Sequence, residues 1–120
     1  MGAFVQLDLE RVAKLERMLG AGLREIIESL IASISRQLDL AERALADDRL
    51  SDVTQPAHTG RNDALLVGAQ PLLRHLTELE DASRTGRLED ARAALRQVRA
   101  VWPETRKALQ MIVQDSPSPE

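Results

Sequence analysis

The sequence predicts an all-α fold: an up-down-up-down four-helix bundle with a short N-terminal helix as a lid. Three observations carry the prediction. Aromatic residues are 2% of a chain that is 43% hydrophobic. Sheets draw on aromatic and β-branched residues, whereas this chain is rich in Leu, Ala, Arg and Glu, which favour helix. Apolar residues recur at alternating steps of three and four over long stretches. The breaks between those stretches are short, which makes successive helices antiparallel neighbours.

The first helix is expected from about Asp8 to Gly20, with Leu9, Val12, Leu15 or Glu16, and Leu19 on one stripe and Gly20 suited to a left-handed cap. It is short enough to cover an end of the bundle. The second, from Leu23 to Ala46, has the clearest pattern: Leu23, Ile27, Leu30, Ile34, Leu38, Ala41 and Leu45 share a face. Asp47, Asp48 and Arg49 end it, and Ser51 or Asp52 can cap the next helix. The third helix, about Ser51 to Val67, is the weakest. Pro56 costs about 3 kcal/mol in a helix interior, so it must either kink the helix or stand in its first turn. Gly60 costs up to ~1 kcal/mol more relative to Ala.

Gly68 and Ala69 pass the chain to a fourth helix with Pro71 near its start, an inner stripe of Leu72, Leu76, Leu79 and Ser83, Leu73 alongside, and a stop at Thr85-Gly86. The fifth keeps a seven-residue repeat through Leu88, Ala91, Leu95, Val98, Trp102, Thr105, Leu109 and Ile112. Pro103 should bend it near Arg99. Residues 1–114 are expected to form the bundle and 115–120, with two prolines and two serines, a disordered tail.

The net charge of −3 and the scarcity of aromatic rings argue against a nucleic-acid partner. Without cysteine there is no disulfide framework, thiolate metal site or cysteine nucleophile. No apolar run approaches the ~20 residues that span a membrane, and the first residues lack a charged leader pattern. A cytoplasmic monomer without membrane insertion is the expectation.

The stretch from Pro56 to Ala69 draws the chemistry together. On a helix, His58, Arg61, Asn62 and Leu65 line one side, and Val53, Ala57, Gly60, Ala64 and Gly68 line the other. Small residues turned inward let a neighbouring helix come close. An imidazole beside a guanidinium turned outward suits phosphoryl chemistry, although a lone polar histidine on a solvated face has the same spacing. His75 is the other histidine and lies off the inner stripe of its helix. Trp102 falls in the core stripe. Arg84, Arg87, Arg92, Arg96 and Arg99 alternate with acidic residues as a solvated surface would.

From Leu7 to Ile112 the pattern resembles the histidine-containing phosphotransfer (HPt) domain of two-component phosphorelays. The resemblance rests on Leu7-Asp8-Leu9, Leu19-Gly20, Ala44-Leu45 before Asp47-Asp48, Ala57-His58-Thr59-Gly60-Arg61-Asn62, then Gly68-Ala69, and Leu79-Glu80-Asp81-Ala82-Ser83-Arg84-Thr85-Gly86. Where that family has leucine two after the histidine, lysine three after and glycine four after, this chain has Gly60, Arg61 and Asn62; Pro56 is a further departure. Gly60 either leaves out a packing side chain, so that leucine there would stabilise, or accommodates a closely approaching helix backbone.

The resemblance implies that His58 accepts a phosphoryl group from a receiver-domain aspartate and passes it to another. A neutral imidazole, with a reference pKa of ~6.5, offers a ring lone pair at neutral pH. Arg61 on the same face is placed to offset charge on the phosphoryl oxygens. Asn62 and Thr59 are candidate donors to the phosphate, and Leu65 is a candidate apolar contact for the partner. The domain would need no cofactor of its own, the Mg²⁺ belonging to the receiver. His58 is therefore expected to be solvent-exposed on the bundle's flank. Two other readings stay open: an HPt-fold adaptor that binds a receiver or signalling partner without being phosphorylated, and a helical bundle unconnected with signalling.

Overall fold

The computed structural model describes residues 7–115; the expected tail beyond Asp115 lies outside them. Five α-helices succeed one another: α1 (Leu9–Leu19), α2 (Leu23–Ala46), α3 (Thr54–Leu66), α4 (Gln70–Arg84) and α5 (Leu88–Asp115). Short 3-10 turns at Gly20–Gly22 and Leu50–Val53 precede α2 and α3. Each of α2 to α5 packs on its chain neighbours, and α5 closes the ring against α2. That is the expected four-helix bundle, with α1 at one end. Among the described residues, no helix is long and apolar enough to cross a membrane.

The α2 bounds and all seven residues of its stripe agree with expectation, each side chain buried. The α5 stripe is buried from Ala91 to Leu109, with Leu88 and Ile112 only partly covered and Trp102 in the core. Asp115, expected to open the tail, is the last residue of α5. Of the arginines expected on a solvated surface, Arg99 instead joins α5 to α2 through Asp39 (3.0 Å) and Glu42. Arg92 reaches Asp48 at 2.6 Å beyond the end of α2.

Two further expectations shift. The third helix does not start at Ser51: residues 51–53 belong to a 3-10 turn, and α3 begins at Thr54. Pro56 thus stands in the first turn, where its missing N–H is one of the donors a helix start leaves unpaired anyway. The α1 stripe is the second. Only Val12 is buried, while Leu9 is 71% exposed and Leu19 is exposed as well. Sequence period shows which residues share a face but not whether another element covers it.

The lid is held at its first residue. Asp8 caps α1 by accepting from the Arg11 backbone N–H (3.2 Å), and its own N–H donates to the Val67 carbonyl at 3.2 Å. Leu7 is buried beside it. Arg11 also donates to the Leu65 carbonyl at 2.8 Å, capping the end of α3. Gly68, at φ +63°, lies under Asp8, and a side chain there would collide with it. Ala69 comes next, fully buried, with its N–H on the Ala64 carbonyl at 3.0 Å.

Gly60 differs. A Cβ there would meet Leu76 side-chain atoms at 3.5 and 3.6 Å and the Gln37 Cβ at 3.7 Å, all ordinary contacts with side chains and none with a helix backbone. A methyl fits, whereas a leucine would have to displace Leu76. Gly60→Ala is therefore expected to stabilise the fold by up to about 1 kcal/mol. Gly68→Ala should destabilise it by about 1–3 kcal/mol or more, from a left-handed backbone and the collision with Asp8. Thermal melts of the two variants, with shifts of opposite sign, check this pair.

Asp63, on α3, accepts from the Ser33 hydroxyl of α2 at 2.5 Å. Burial raises its carboxyl above the usual range, and the Ser33 hydrogen bond pulls it part of the way back. The folded state then binds this proton more tightly than the unfolded chain. The stabilisation is complete below the unfolded value of ~3.9 and is lost as pH rises through the folded one. Asp63→Asn keeps an acceptor for Ser33 and removes the charge. It should be more stable than the parent at pH 7, with the advantage gone at about pH 3, as urea titrations at the two pH values would show.

Candidate functional site

His58 lies in the second turn of α3 and Glu80 in the last part of α4. The connection between the helices is only Val67 to Ala69, so the antiparallel pair brings position 58 abreast of position 80. Gly60 on the inner side of α3 faces Leu76, one turn before Glu80, with room between them for little more than a methyl group. Packing that close puts the imidazole within reach of the neighbouring helix.

The His58 Nδ1 stands 2.9 Å from the Glu80 Oε2. An ionised carboxylate only accepts, so Nδ1 carries the proton and donates it. In the neutral imidazole the other nitrogen, Nε2, then keeps its lone pair. The Glu80 side chain is 7% exposed and that of His58 36%. The expectation of an exposed histidine on the flank is met in part: the side chain is partly exposed, and its Nδ1 edge is bonded to Glu80.

A buried carboxylate is costly unless it is paired. Glu80 is paired from three sides. Arg84, one turn on along α4, reaches Oε2 at 2.6 Å, and Arg61 brings its Nε to 3.2 Å from Oε1. The two arginines differ in exposure, the Arg84 side chain being 58% exposed and that of Arg61 34%. The Arg61 Nε is buried, and its N–H is not aligned on any acceptor. Its approach to Glu80 is Coulombic, without a directional bond. The Arg61 Nη2 lies 3.5 Å from His58 Nδ1. Both atoms carry protons, so this is proximity between donors.

Asn62 places its side-chain nitrogen 3.3 Å from His58 Nε2. Thr59 accepts from the Gln55 amide at 3.3 Å and makes no bond to the imidazole. Leu65 is 45% exposed on the same face, with Leu66 exposed beside it. The structure thus gathers His58, Arg61 and Asn62 into one constellation, leaves Leu65 on its margin and turns Thr59 to a different partner. His75 pairs within α4, with Glu78 at 2.9 Å, away from this cluster. Among the described residues, no group of His, Asp and Glu has a metal-holding arrangement.

Sequence reasoning places Glu80 and Arg84 only within the Leu79–Gly86 signature, and reads Arg84 as part of a solvated surface. Arg84 has the spacing of a solvated arginine, yet it compensates a buried charge. A signal for Glu80 is present: it stands four after Leu76, on the inner stripe of α4, where a carboxylate needs a partner.

Neither a family profile nor a curated protein sequence matches the chain. Solved structures do. Histidine-containing phosphotransfer protein B from Pseudomonas aeruginosa superposes with a TM-score of 0.88 at 20% identity, over 93% of this chain and 97% of that one. A putative histidine-containing phosphotransfer protein from rice gives 0.79 at 18% identity, over 91% and 80%. The chain has the fold of histidine-containing phosphotransfer proteins.

If Arg84 compensates Glu80, its loss costs more than that of an ordinary surface ion pair. Arg84→Ala is expected to lower stability by about 1–3 kcal/mol, the range for stranding a buried polar group. Arg74→Ala removes an exposed contact to Glu78 at 3.8 Å and should stay within about 0.5 kcal/mol. Equal denaturation midpoints for the two variants would show that Glu80 is neutralised without Arg84.

Proposed function

We propose that the protein is a phosphorelay intermediate: His58 accepts a phosphoryl group from the aspartyl phosphate of a receiver domain and donates it to another receiver aspartate. The observation that carries this reading is the Nδ1–Glu80 hydrogen bond on the buried side of a half-exposed ring. It supports a single tautomer, with the nucleophilic lone pair on the solvent side.

In the proposed step the Nε2 lone pair forms the N–P bond as the acyl P–O bond breaks, and the aspartate carboxylate leaves with the electron pair. The Nδ1 proton stays on the ring, and the positive charge that develops there is offset by Glu80, which strengthens its hold as the reaction proceeds. The reverse step returns the phosphoryl group to a carboxylate by the same path. Negative charge spreads over the three phosphoryl oxygens in the transition state. Arg61, which makes no aligned bond through Nε, is available to turn toward them, while Arg84 keeps Glu80 compensated. Leu65 and Leu66 offer apolar surface beside the ring for the receiver. Any Mg²⁺ belongs to the receiver's own acidic site in this scheme.

The second reading, an adaptor that binds a receiver and is never phosphorylated, draws on the Asn62 amide beside Nε2. Transfer from a phosphorylated receiver, with affinity measured in parallel, separates the two. His58→Gln should abolish an acid-labile label and still melt cooperatively, its side-chain amide being able to donate to Glu80 in place of the ring N–H. Arg61→Ala should slow transfer about 10- to 100-fold with a smaller effect on receiver affinity, because its interaction grows in the transition state. Receiver binding without any label on the parent protein would favour the adaptor.

A further inference from the structure

The Asn62 side chain approaches the outer nitrogen of His58, its amide nitrogen 3.3 Å from Nε2. Because Nδ1 holds the ring proton for Glu80, Nε2 is an acceptor, and the amide must therefore present its NH₂ group. A hydrogen bond of this kind places the donor near the lone-pair direction. That is the direction along which phosphorus must arrive. A phosphorus atom bonded to Nε2 would lie between the ring and the amide nitrogen, inside any non-bonded contact. The amide therefore has to leave before the N–P bond can form.

From this geometry we infer that Asn62 is a removable cap on the phosphoryl-accepting nitrogen, holding the resting protein in a less reactive state. The inference rests on the proposed role of His58 as the nucleophile. Three features make the cap removable. The bond is long, Asn62 is exposed, and the two residues are one helical turn apart on the same face, so a change of side-chain rotamer suffices. The cap also differs in kind from the Glu80 contact. Glu80 strengthens its bond as charge develops on the ring, whereas the Asn62 bond uses the electron pair that the reaction consumes. One partner favours the transition state and the other favours the ground state. Removing the second should therefore accelerate transfer.

The test uses phosphoramidate as the donor, which removes receiver docking from the measurement. In that step Nε2 forms the N–P bond, the donor's own P–N bond breaks, and ammonia leaves with the electron pair after protonation. Asn62→Ala should be labelled at His58 about two- to tenfold faster than the parent, the factor expected for losing one ordinary hydrogen bond. The ¹⁵N resonance of His58 Nε2 should also move downfield, toward that of an unbonded ring nitrogen, before any donor is added. Asn62→Gly, made in parallel, should show the same resonance shift and thereby exclude an effect of the alanine methyl. Equal labelling rates together with an unmoved Nε2 resonance overturn the cap while leaving His58 as the nucleophile. A moved resonance with unchanged or slower labelling also overturns it, since the bond would then not oppose the reaction. Absence of label in the parent and in both variants overturns the nucleophile itself, and the cap with it.

Discussion

The Glu80 carboxylate is the constraint around which the polar chemistry of this bundle is arranged. It is buried between α3 and α4, and its charge is tolerable only because side chains from both helices meet it. Arg84 comes from its own helix and Arg61 and His58 from the other. The orientation of the imidazole is thus a property of helix packing. A local helix at residues 54–66 would place His58 on a face but would not choose between its two nitrogens. The neighbouring helix makes that choice by presenting an acceptor to one of them.

The register that makes this contact depends on a three-residue turn. Gly68 adopts a left-handed conformation there, and Asp8 packs against it with no room for a side chain between them. The Asp8 N–H and the Arg11 guanidinium take up the Val67 and Leu65 carbonyls, which the end of α3 would otherwise leave unpaired. The Gly68-Ala69 pair, ten residues and more beyond His58, therefore acts at a distance from the chemistry. It fixes where α4 begins relative to α3 and anchors the lid to the same point. A residue pair that reads as part of a functional motif is here a packing device, and the site depends on it through register.

How far the sequence reveals this depends on the kind of information each feature needs. The α2 limits and its seven-residue stripe are legible because a long helix repeats its period several times. The position of Pro56 is legible as a pair of alternatives, and the 3-10 turn at Leu50–Val53 resolves them in favour of the first turn. The outward face of α1 is not legible, since Leu9 and Leu19 keep helical spacing whether or not anything covers them. The Glu80–Arg84 pair is obscured for a different reason. An acidic residue four before an arginine has the pattern of a solvated helix surface, and only the coincidence with the Leu76 stripe marks Glu80 as an inward position. His58 and Arg61 are found by their spacing. The proton on Nδ1 is not, because it is decided by a residue on another helix.

Likeness to the solved structures, at 20% identity or below, establishes the fold; what the site can do rests on its own side chains. Arginine at position 61 is informative in this respect. A lysine has one nitrogen and must direct it either to the buried carboxylate or to the ring's surroundings. The guanidinium spans both, with Nε against Glu80 and Nη2 level with the imidazole. It contributes charge to the first without committing an aligned hydrogen bond. Arg84 meets the same carboxylate from its own helix, with Nη2 2.6 Å from Oε2. The two arginines thus divide the carboxylate between them: Arg84 meets Oε2, the oxygen that also faces His58, and Arg61 meets Oε1 with its Nη2 beside the imidazole. That division explains how a site with a single buried carboxylate accommodates two cations, and why neither is redundant to the other.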